Sequence, residues 1–280
     1  MAKEAVARPA ATIVLLRDAP RGSAPVGSAS ASGEGLEVFM VVRHHAIDFA
    51  SGALVFPGGR VDENDYALAG NAALCPNPDG LDTAAMAFRI AAIRETFEEC
   101  GVLLARPGHT VELIDAATLL EVERTQRAPL AEGRISFDSV LTAHDLLPAT
   151  DLLTHFAHWI TPRHQPKRYD THFFLAEAPA EQLAVHDGEE AVDSLWITPR
   201  QVLTDTEAGR FKLVFATQMN LMKLANFGTA AEAIAAAREA PVVTVLPEVS
   251  RVDGTRRVMR IPLEAGYGAE EFLVANPPAS

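Results

Sequence analysis

The 280-residue chain predicts an α/β fold from the pattern of its apolar segments. Short β-rich apolar runs occur at 11–17 and 36–43, and again at 156–161 and 171–176. Between the two pairs lies a helical segment, residues 84–93, that is apolar nearly all round, the pattern of a helix buried between layers. A hydrophobic content of 48% is ample for such a core.

Gly-, Ser-, Ala- and Pro-rich residues 21–35 join the first two runs as a loop. Residues 53–56 lead into Pro57-Gly58-Gly59, a turn whose glycines let backbone approach a ligand. Residues 60–80, punctuated by Asn, Asp and Pro, read as a loop or short helical detour. The stretch 65–80 is expected to be a surface excursion beside the site that a short linker can replace. Asp82 or Thr83 is a suitable N-cap for the buried helix, which should end near Cys100 with Gly101 closing it. Residues 107–150 alternate helical stretches with Pro and Gly breaks and carry no motif. Further on, 194–197 is a short strand and 199–203 starts a helix, while 207–239 read as two helices split near Asn226-Phe227-Gly228. Residues 242–249 and 256–261 flank Asp253-Gly254 as a hairpin. One domain is expected over 1–280, with a core of about 8–205 and a C-terminal helical and β-hairpin extension of about 206–280.

A net charge of −13 excludes a nucleic-acid backbone or an anionic membrane as the main partner, since both would be repelled at long range. A small anionic substrate fits if a metal supplies local positive charge. No apolar run is long enough to span a bilayer, and residues 5–16 are broken by Arg8 and Pro9, unlike a secretion signal. The expected location is the cytoplasm. Cys75 and Cys100 offer no metal-ligand spacing, and no disulfide is expected.

The chemistry concentrates in Arg94-Glu95-Thr96-Phe97-Glu98-Glu99-Cys100-Gly101. Residues three and four apart on a helix are neighbours, so Glu95 meets Glu98 and Glu99, and each like-charged pair costs roughly 0.2–0.5 kcal/mol. The acids also crowd the last helical turn, where the helix dipole disfavours anions. Arg94 relieves part of this, and a hard divalent cation with oxygen ligands would turn the repulsion into a binding site.

Phe56-Pro57-Gly58-Gly59 followed by 94–101 resembles the signature of the Nudix hydrolases, in which a glycine loop and a helix ending cradle a metal-bound diphosphate. Gly59 and Arg94 are 35 positions apart where the pattern has 14, so about 21 residues are inserted. The pattern's first glutamate falls on Asp65 counting forward from Gly59, or on Met86 counting back from Arg94, and Thr96 stands where an apolar residue is usual. The insertion, together with Trp159-Ile160-Thr161-Pro162, Arg168-Tyr169-Asp170-Thr171 and Phe173-Phe174, is similar to the subgroup containing peroxisomal coenzyme A diphosphatases, and the likeness covers roughly 11–205. A second CoA-associated signature is half present: Arg43, Gly52 and Phe56 match, and Asp48 stands where an arginine is expected.

The resemblance implies an αβα sandwich with a mixed sheet and metal-dependent hydrolysis of a nucleoside diphosphate linked to another group. The implied product pair from CoA or acyl-CoA is 3′,5′-ADP and a phosphopantetheine compound. Glu95, Glu98, Glu99 and the Gly59 carbonyl would hold Mg²⁺ or Mn²⁺, which neutralises the diphosphate and acidifies water. Glu98 is the first choice to orient the attacking water. Arg94 would orient the glutamates, Gly58, Arg43 and Arg168 would contact substrate, and Glu189 or Glu190 is the remote candidate base. The expected partner is a small nucleotide diphosphate, with a homodimer left open.

Each of these features has a plainer explanation. An acidic helix end can be a solvated face, a glycine pair an ordinary turn, and basic residues 163–168 a solvated loop. His155, His158, His164 and His172 show no ligand spacing in sequence, and Trp159 and Trp196 suit the core. Rival functions are the same chemistry on ADP-ribose, a dinucleotide or a nucleotide sugar, and a non-catalytic nucleotide sensor, against which the three intact glutamates argue.

Overall fold

A computed structural model describes residues 4–20, 35–43, 52–77, 79–108, 110–182, 191–251, 253 and 255–275. In chain order the elements begin β1 (Arg8–Asp18), β2 (Leu36–Arg43), β3 (Leu54–Val55), β4 (Gly58–Arg60), α1 (Glu63–Ala69) and α2 (Thr83–Cys100). β5 (Ala105–Pro107), α3 (Ala116–Val122), α4 (Ala128–Ala131), α5 (Phe137–Ala143) and β6 (Leu146–Pro148) follow. Next come β7 (Thr154–Ile160), β8 (Tyr169–Glu177), β9 (Ala191–Ile197), α6 (Pro199–Glu207), α7 (Phe215–Leu224) and α8 (Ala230–Glu239). The chain ends in β10 (Thr244–Val245), β11 (Glu248–Arg251), β12 (Arg256–Arg260) and β13 (Glu271–Ala275).

Seven consecutive residues of β1, Ala10 to Leu16, are buried, as in a strand covered on both faces. β1 is accordingly central: it pairs in parallel with β8 over Arg8 to Leu16, and the main sheet runs β10-β7-β8-β1-β2-β3. On its other flank β1 changes partners. β2 pairs with its C-terminal end, Leu16 opposite Val38, whereas β4 takes its N-terminal end, Thr12 opposite Gly58 and Ala11 opposite Gly59. That exchange inserts the two glycines into the sheet.

Two cores lie on the two faces of the sheet. α2 covers one, burying Met86, Ile90, Ile93 and Phe97 against Ile13, Leu15 and Phe174. A fully buried aliphatic or aromatic side chain contributes roughly 1.5–3 kcal/mol, so this helix is a main source of stability. Asp82 caps it through Ala85 N at 2.7 Å, and Gly101 closes it at φ +71°. Thr96, in an apolar position, is buried with its hydroxyl donating to Ala92 O at 2.7 Å. On the other face α7 and α8 pack on Val14, Phe156 and Leu175, and β10 extends the sheet through β7.

Two expectations change. The stretch 65–80 is not a mere surface excursion: α1 carries a capping box between Asp62 and Asp65, and Leu68 and Cys75 are buried in the α2 core. The run 242–249 does not form one hairpin arm, because β10 joins β7 in parallel and β11 alone pairs with β12, with β13 added beyond. Residues 107–150 hold helical stretches as expected: α3, a π-helical turn at Glu123–Arg127, α4 and α5, which contribute to the core beneath α2. The loop 21–34, Asp48 and Gly254 lie outside the described residues. Cys75 and Cys100 are buried thiols that are not joined in a disulfide. Among the described residues, no helix is long and apolar enough to cross a membrane.

Candidate active site

The end of α2 and the glycine turn meet where β4 joins β1. Gly58 N donates to Glu99 Oε2 at 2.9 Å. A Cβ on Gly59 would fall 2.3 Å from Glu95 Oε2, so only glycine leaves room for that carboxylate. At Gly58, φ is +152° and a Cβ would lie 2.4 Å from Ala11 O, which excludes a side chain on both counts.

Arg94 is the hub of the site. Its Nε and Nη2 donate to the two oxygens of Asp65 at 3.0 and 2.9 Å, a bidentate pair across 29 residues. Its Nη1 donates to Glu95 Oε1 at 2.9 Å and Glu98 Oε1 at 3.0 Å, and Nη2 also reaches Arg60 O at 2.8 Å. Of the two residues that the spacing offered for the acidic position, Asp65 is the one that meets Arg94. Met86 is buried in the core instead.

A second arginine, missed by sequence reasoning, steadies the helix end. Arg127 Nε donates to Glu98 O at 3.0 Å, and its Nη1 bonds Glu123 at 2.6 Å. It satisfies a carbonyl that the helix leaves without a partner and brings positive charge to the negative end of the dipole. Nothing in 107–150 marks it, because the π-helical turn that aims it has no sequence signature.

Burial pushes Glu95 up to about 7, with Arg94 pulling against it and the charge of Glu98 adding to it. Burial likewise raises Asp65 and Glu98 against the pull of Arg94. Burial would lower Arg94, yet its hydrogen bond to Asp65 and the charges of Glu95, Asp65 and Glu98 outweigh that and hold it firmly protonated. One guanidinium thus bonds three carboxylates, with Asp62 a fourth at 4.0 Å, and Glu99 adds a fifth on the glycine side. An excess of oxygen-only anionic donors is the set that a hard divalent cation takes.

The glutamates stand at one end of a cavity of about 970 Å³, where Glu95, Glu99, Gly58 and Gly59 form part of its wall. Glu98 is turned toward Arg94 and is not among the lining residues. Trp159, Tyr169 and Phe173 of β7 and β8 supply an aromatic side, and Lys167 and Arg257 bring cationic groups. Trp159 is fixed there by its indole N–H donating to Tyr267 Oη at 2.9 Å, which donates to Asn220 Oδ1 at 2.8 Å.

Arg168 is not in this cavity. It is buried and spent on structure, donating to Thr161 O at 3.0 Å and to Glu4 Oε1 and Ala5 O, both at 2.7 Å. A guanidinium so engaged has no fork left for a phosphate, so the expected substrate role is corrected. Arg163 also pairs with Glu4, at 3.0 Å. The backbone of Arg43 ends β2, but its side chain, like Glu189 and Glu190, lies outside the described residues. Arg257, from the C-terminal extension, was absent from the sequence reasoning because no motif surrounds it.

Residues 77–214, about half of the chain, match the NUDT19 Nudix domain family. The structure is similar to a crystal structure of a Nudix hydrolase from Alicyclobacillus acidocaldarius, with a TM-score of 0.64 and 27% identity, over 82% of this chain and 96% of that one. The chain belongs to the Nudix hydrolases and is a Nudix diphosphohydrolase. Within that class it resembles proteins described as acyl-coenzyme A diphosphatase NUDT19. It is 27% identical to the one from Gallus gallus over 79% of this chain and 69% of that protein. It is 25% identical to the one from Xenopus laevis, over 68% and 60% respectively.

Proposed function

We propose that this chain hydrolyses the diphosphate of CoA or an acyl-CoA, giving 3′,5′-ADP and a phosphopantetheine or acyl-phosphopantetheine. The observation that carries the proposal is the cavity itself. It has carboxylates at one end, an aromatic wall, and the cations Lys167 and Arg257, a set that suits an anionic substrate with apolar parts. The likeness to acyl-CoA diphosphatases supports the same choice. The products and the dependence on metal are part of the proposal.

Glu95, Glu98 and Glu99, with the Gly59 carbonyl, would hold Mg²⁺ or Mn²⁺. A bound ion of that kind neutralises diphosphate charge and makes water more acidic. The protein's own part is orientation. Arg94 fixes Glu95 and Glu98 on one guanidinium, Gly58 N–H fixes Glu99, and the absence of a Cβ at Gly59 lets the Glu95 carboxylate lie against the turn. Glu98 is the residue assigned to orienting the attacking water, once released from Arg94.

CoA differs from rival diphosphates by a 3′-phosphate, which calls for a cation away from the carboxylates. Arg257 is the best placed: it lines the cavity, its Nε is buried without a hydrogen-bond partner among the described residues, and burial lowers its pKa, a cost that a bound phosphate would offset. Incubating the protein with CoA, dephospho-CoA, ADP-ribose and NADH in Mg²⁺ or Mn²⁺, with product separation, tests the proposal. CoA should be cleaved fastest, and equal cleavage of ADP-ribose or NADH would replace it with a general dinucleotide activity.

A further inference from the structure

We propose that His158, Asp170 and His172 form a binding site for one divalent transition-metal ion on β7 and β8, on the face of the sheet away from the hydrolase cavity. Sequence spacing hides this group, because the residues come from two strands. In the antiparallel register of β7 and β8, His158 lies directly opposite His172, and Ile160 opposite Asp170, so the two histidines and the aspartate share one face. Each offers a ligand atom within 4.8 Å of the other two. The alternate residues Trp159, Thr171 and Phe173 line the cavity on the opposite face.

The surroundings orient the donors as partners of a metal site do. His158 Nδ1 bonds Thr244 Oγ1 of β10 at 2.8 Å, which presents Nε2 to Asp170 Oδ1 at 2.5 Å. His172 Nδ1 bonds His155 Nε2 at 3.0 Å, which leaves Nε2 as its ligating nitrogen. Each imidazole is thus held through one nitrogen and offers the other, as in sites where a second hydrogen bond sets the tautomer. Phe88 of α2 packs on His172 with centroids 4.1 Å apart.

Two imidazoles and one carboxylate suit zinc and the neighbouring first-row divalent ions better than Mg²⁺, which prefers oxygen. The His158 and Asp170 side chains are 16% and 34% exposed, enough for an ion to enter and for water to complete its shell. Binding asks little of the backbone. The His158 and His172 rings, now stacked at 4.0 Å, must tilt, and the ion takes the place of the hydrogen joining His158 to Asp170. Arg89, stacked on Phe174 at 5.1 Å, puts positive charge at the His155 end of the row, so Asp170 supplies the compensating charge at the other. With Thr244 as outer partner, the ion would tie β8, β7 and β10 together and stiffen the strands whose other face forms the cavity wall.

The test uses the 280-residue untagged chain carrying Glu95→Gln, Glu98→Gln and Glu99→Gln, which removes the three glutamates of the hydrolase site, in excess Mg²⁺. Equilibrium dialysis should find one Zn²⁺ per chain, and Co²⁺ in its place should give visible absorption bands. Separate His158→Asn, Asp170→Asn and His172→Gln changes, each checked by circular dichroism, should weaken Zn²⁺ binding a hundredfold or more. Thr244→Val should weaken it about tenfold, the low end of the range for an outer partner. Absence of Zn²⁺ binding in the parent protein, or unchanged binding in folded ligand variants, would overturn the site. The row would then be a hydrogen-bonded one only.

Discussion

Arg94 and Asp65, 29 residues apart, form a bidentate ion pair inside the protein, and the same guanidinium carries Glu95 and Glu98 on its remaining edge. The pair joins α1 to α2 and makes the geometry of the glutamates depend on a residue upstream of the inserted segment.

Asp65→Ala should therefore destabilise the protein strongly. Removing one partner of a buried pair leaves an uncompensated charge, at a cost of about 3–5 kcal/mol. Chemical denaturation should find that loss, and Asp65→Asn, which keeps two hydrogen-bonding atoms, should lose less. A change below 1 kcal/mol in Asp65→Ala would show that Glu95 and Glu98 suffice to hold Arg94.

The two adjacent glycines should separate stability from activity. In Gly59→Ala the three atoms nearest the new methyl all belong to the Glu95 carboxylate, the end of a side chain that can swing aside, so Tm should barely move. The displaced carboxylate should cost about a hundredfold in kcat, the scale of an ångström-level misplacement. Gly58→Ala instead meets the Ala11 carbonyl in a conformation that side chains rarely adopt, and it should fold poorly. Thermal melts and rates on the two purified variants check this, and a fully active Gly59→Ala would show that Glu95 need not lie against the turn.

Much of this arrangement was legible in the sequence, and the failures share a cause. The bounds of α2, its Asp82 and Gly101 caps and the pairing of the glycine turn with the acidic helix end all follow from local residue chemistry. β2 matched its expected run, because period and composition agree there. What could not be seen was long-range. Asp65 closes on Arg94, Arg127 on Glu98, and Arg168 on Glu4 only through tertiary contacts. The substrate role expected for Arg168 came from a family likeness of the surrounding segment, and no local pattern tells a phosphate ligand from an arginine bound to a carboxylate and two backbone carbonyls. Residues 65–80 looked polar enough for a loop, yet Leu68 and Cys75 are sufficient to anchor them.

Arg257→Ala should weaken CoA relative to dephospho-CoA. A lost charge-assisted hydrogen bond is worth roughly 1.5–3 kcal/mol, about ten- to a hundredfold in kcat/KM. Arg168→Ala should instead lower Tm, because it strips hydrogen bonds from Thr161, Glu4 and Ala5, and should leave the CoA to dephospho-CoA ratio unchanged. Comparing that ratio in the two variants separates the roles, and a ratio moved only by Arg168→Ala would restore the expectation from sequence.

The metal-free protein should lose stability as pH rises. Glu95 sits at about 7 when folded and near 4.5 otherwise, so between those values the folded state binds more protons than the unfolded state. Its contribution is present below about 4.5 and is lost as pH climbs toward 7, and Asp65 and Glu98, also raised by burial, act in the same direction. Melts in EDTA from pH 5 to pH 8 should show Tm falling, with a flatter profile in Glu95→Gln and recovery on adding Mg²⁺. A Tm that rises across that window in EDTA would mean that Glu95 is ionised throughout.

The central claim, that the acids held by Arg94 perform a metal-dependent diphosphate hydrolysis, is tested most directly by Glu98→Gln. The amide keeps the size of the side chain and removes its charge. Initial rates of CoA cleavage at saturating Mg²⁺ should fall by about three orders of magnitude or more, with circular dichroism and Tm close to those of the parent. A purified, folded Glu98→Gln protein cleaving CoA at the parent rate would remove Glu98 from the chemistry and contradict the account.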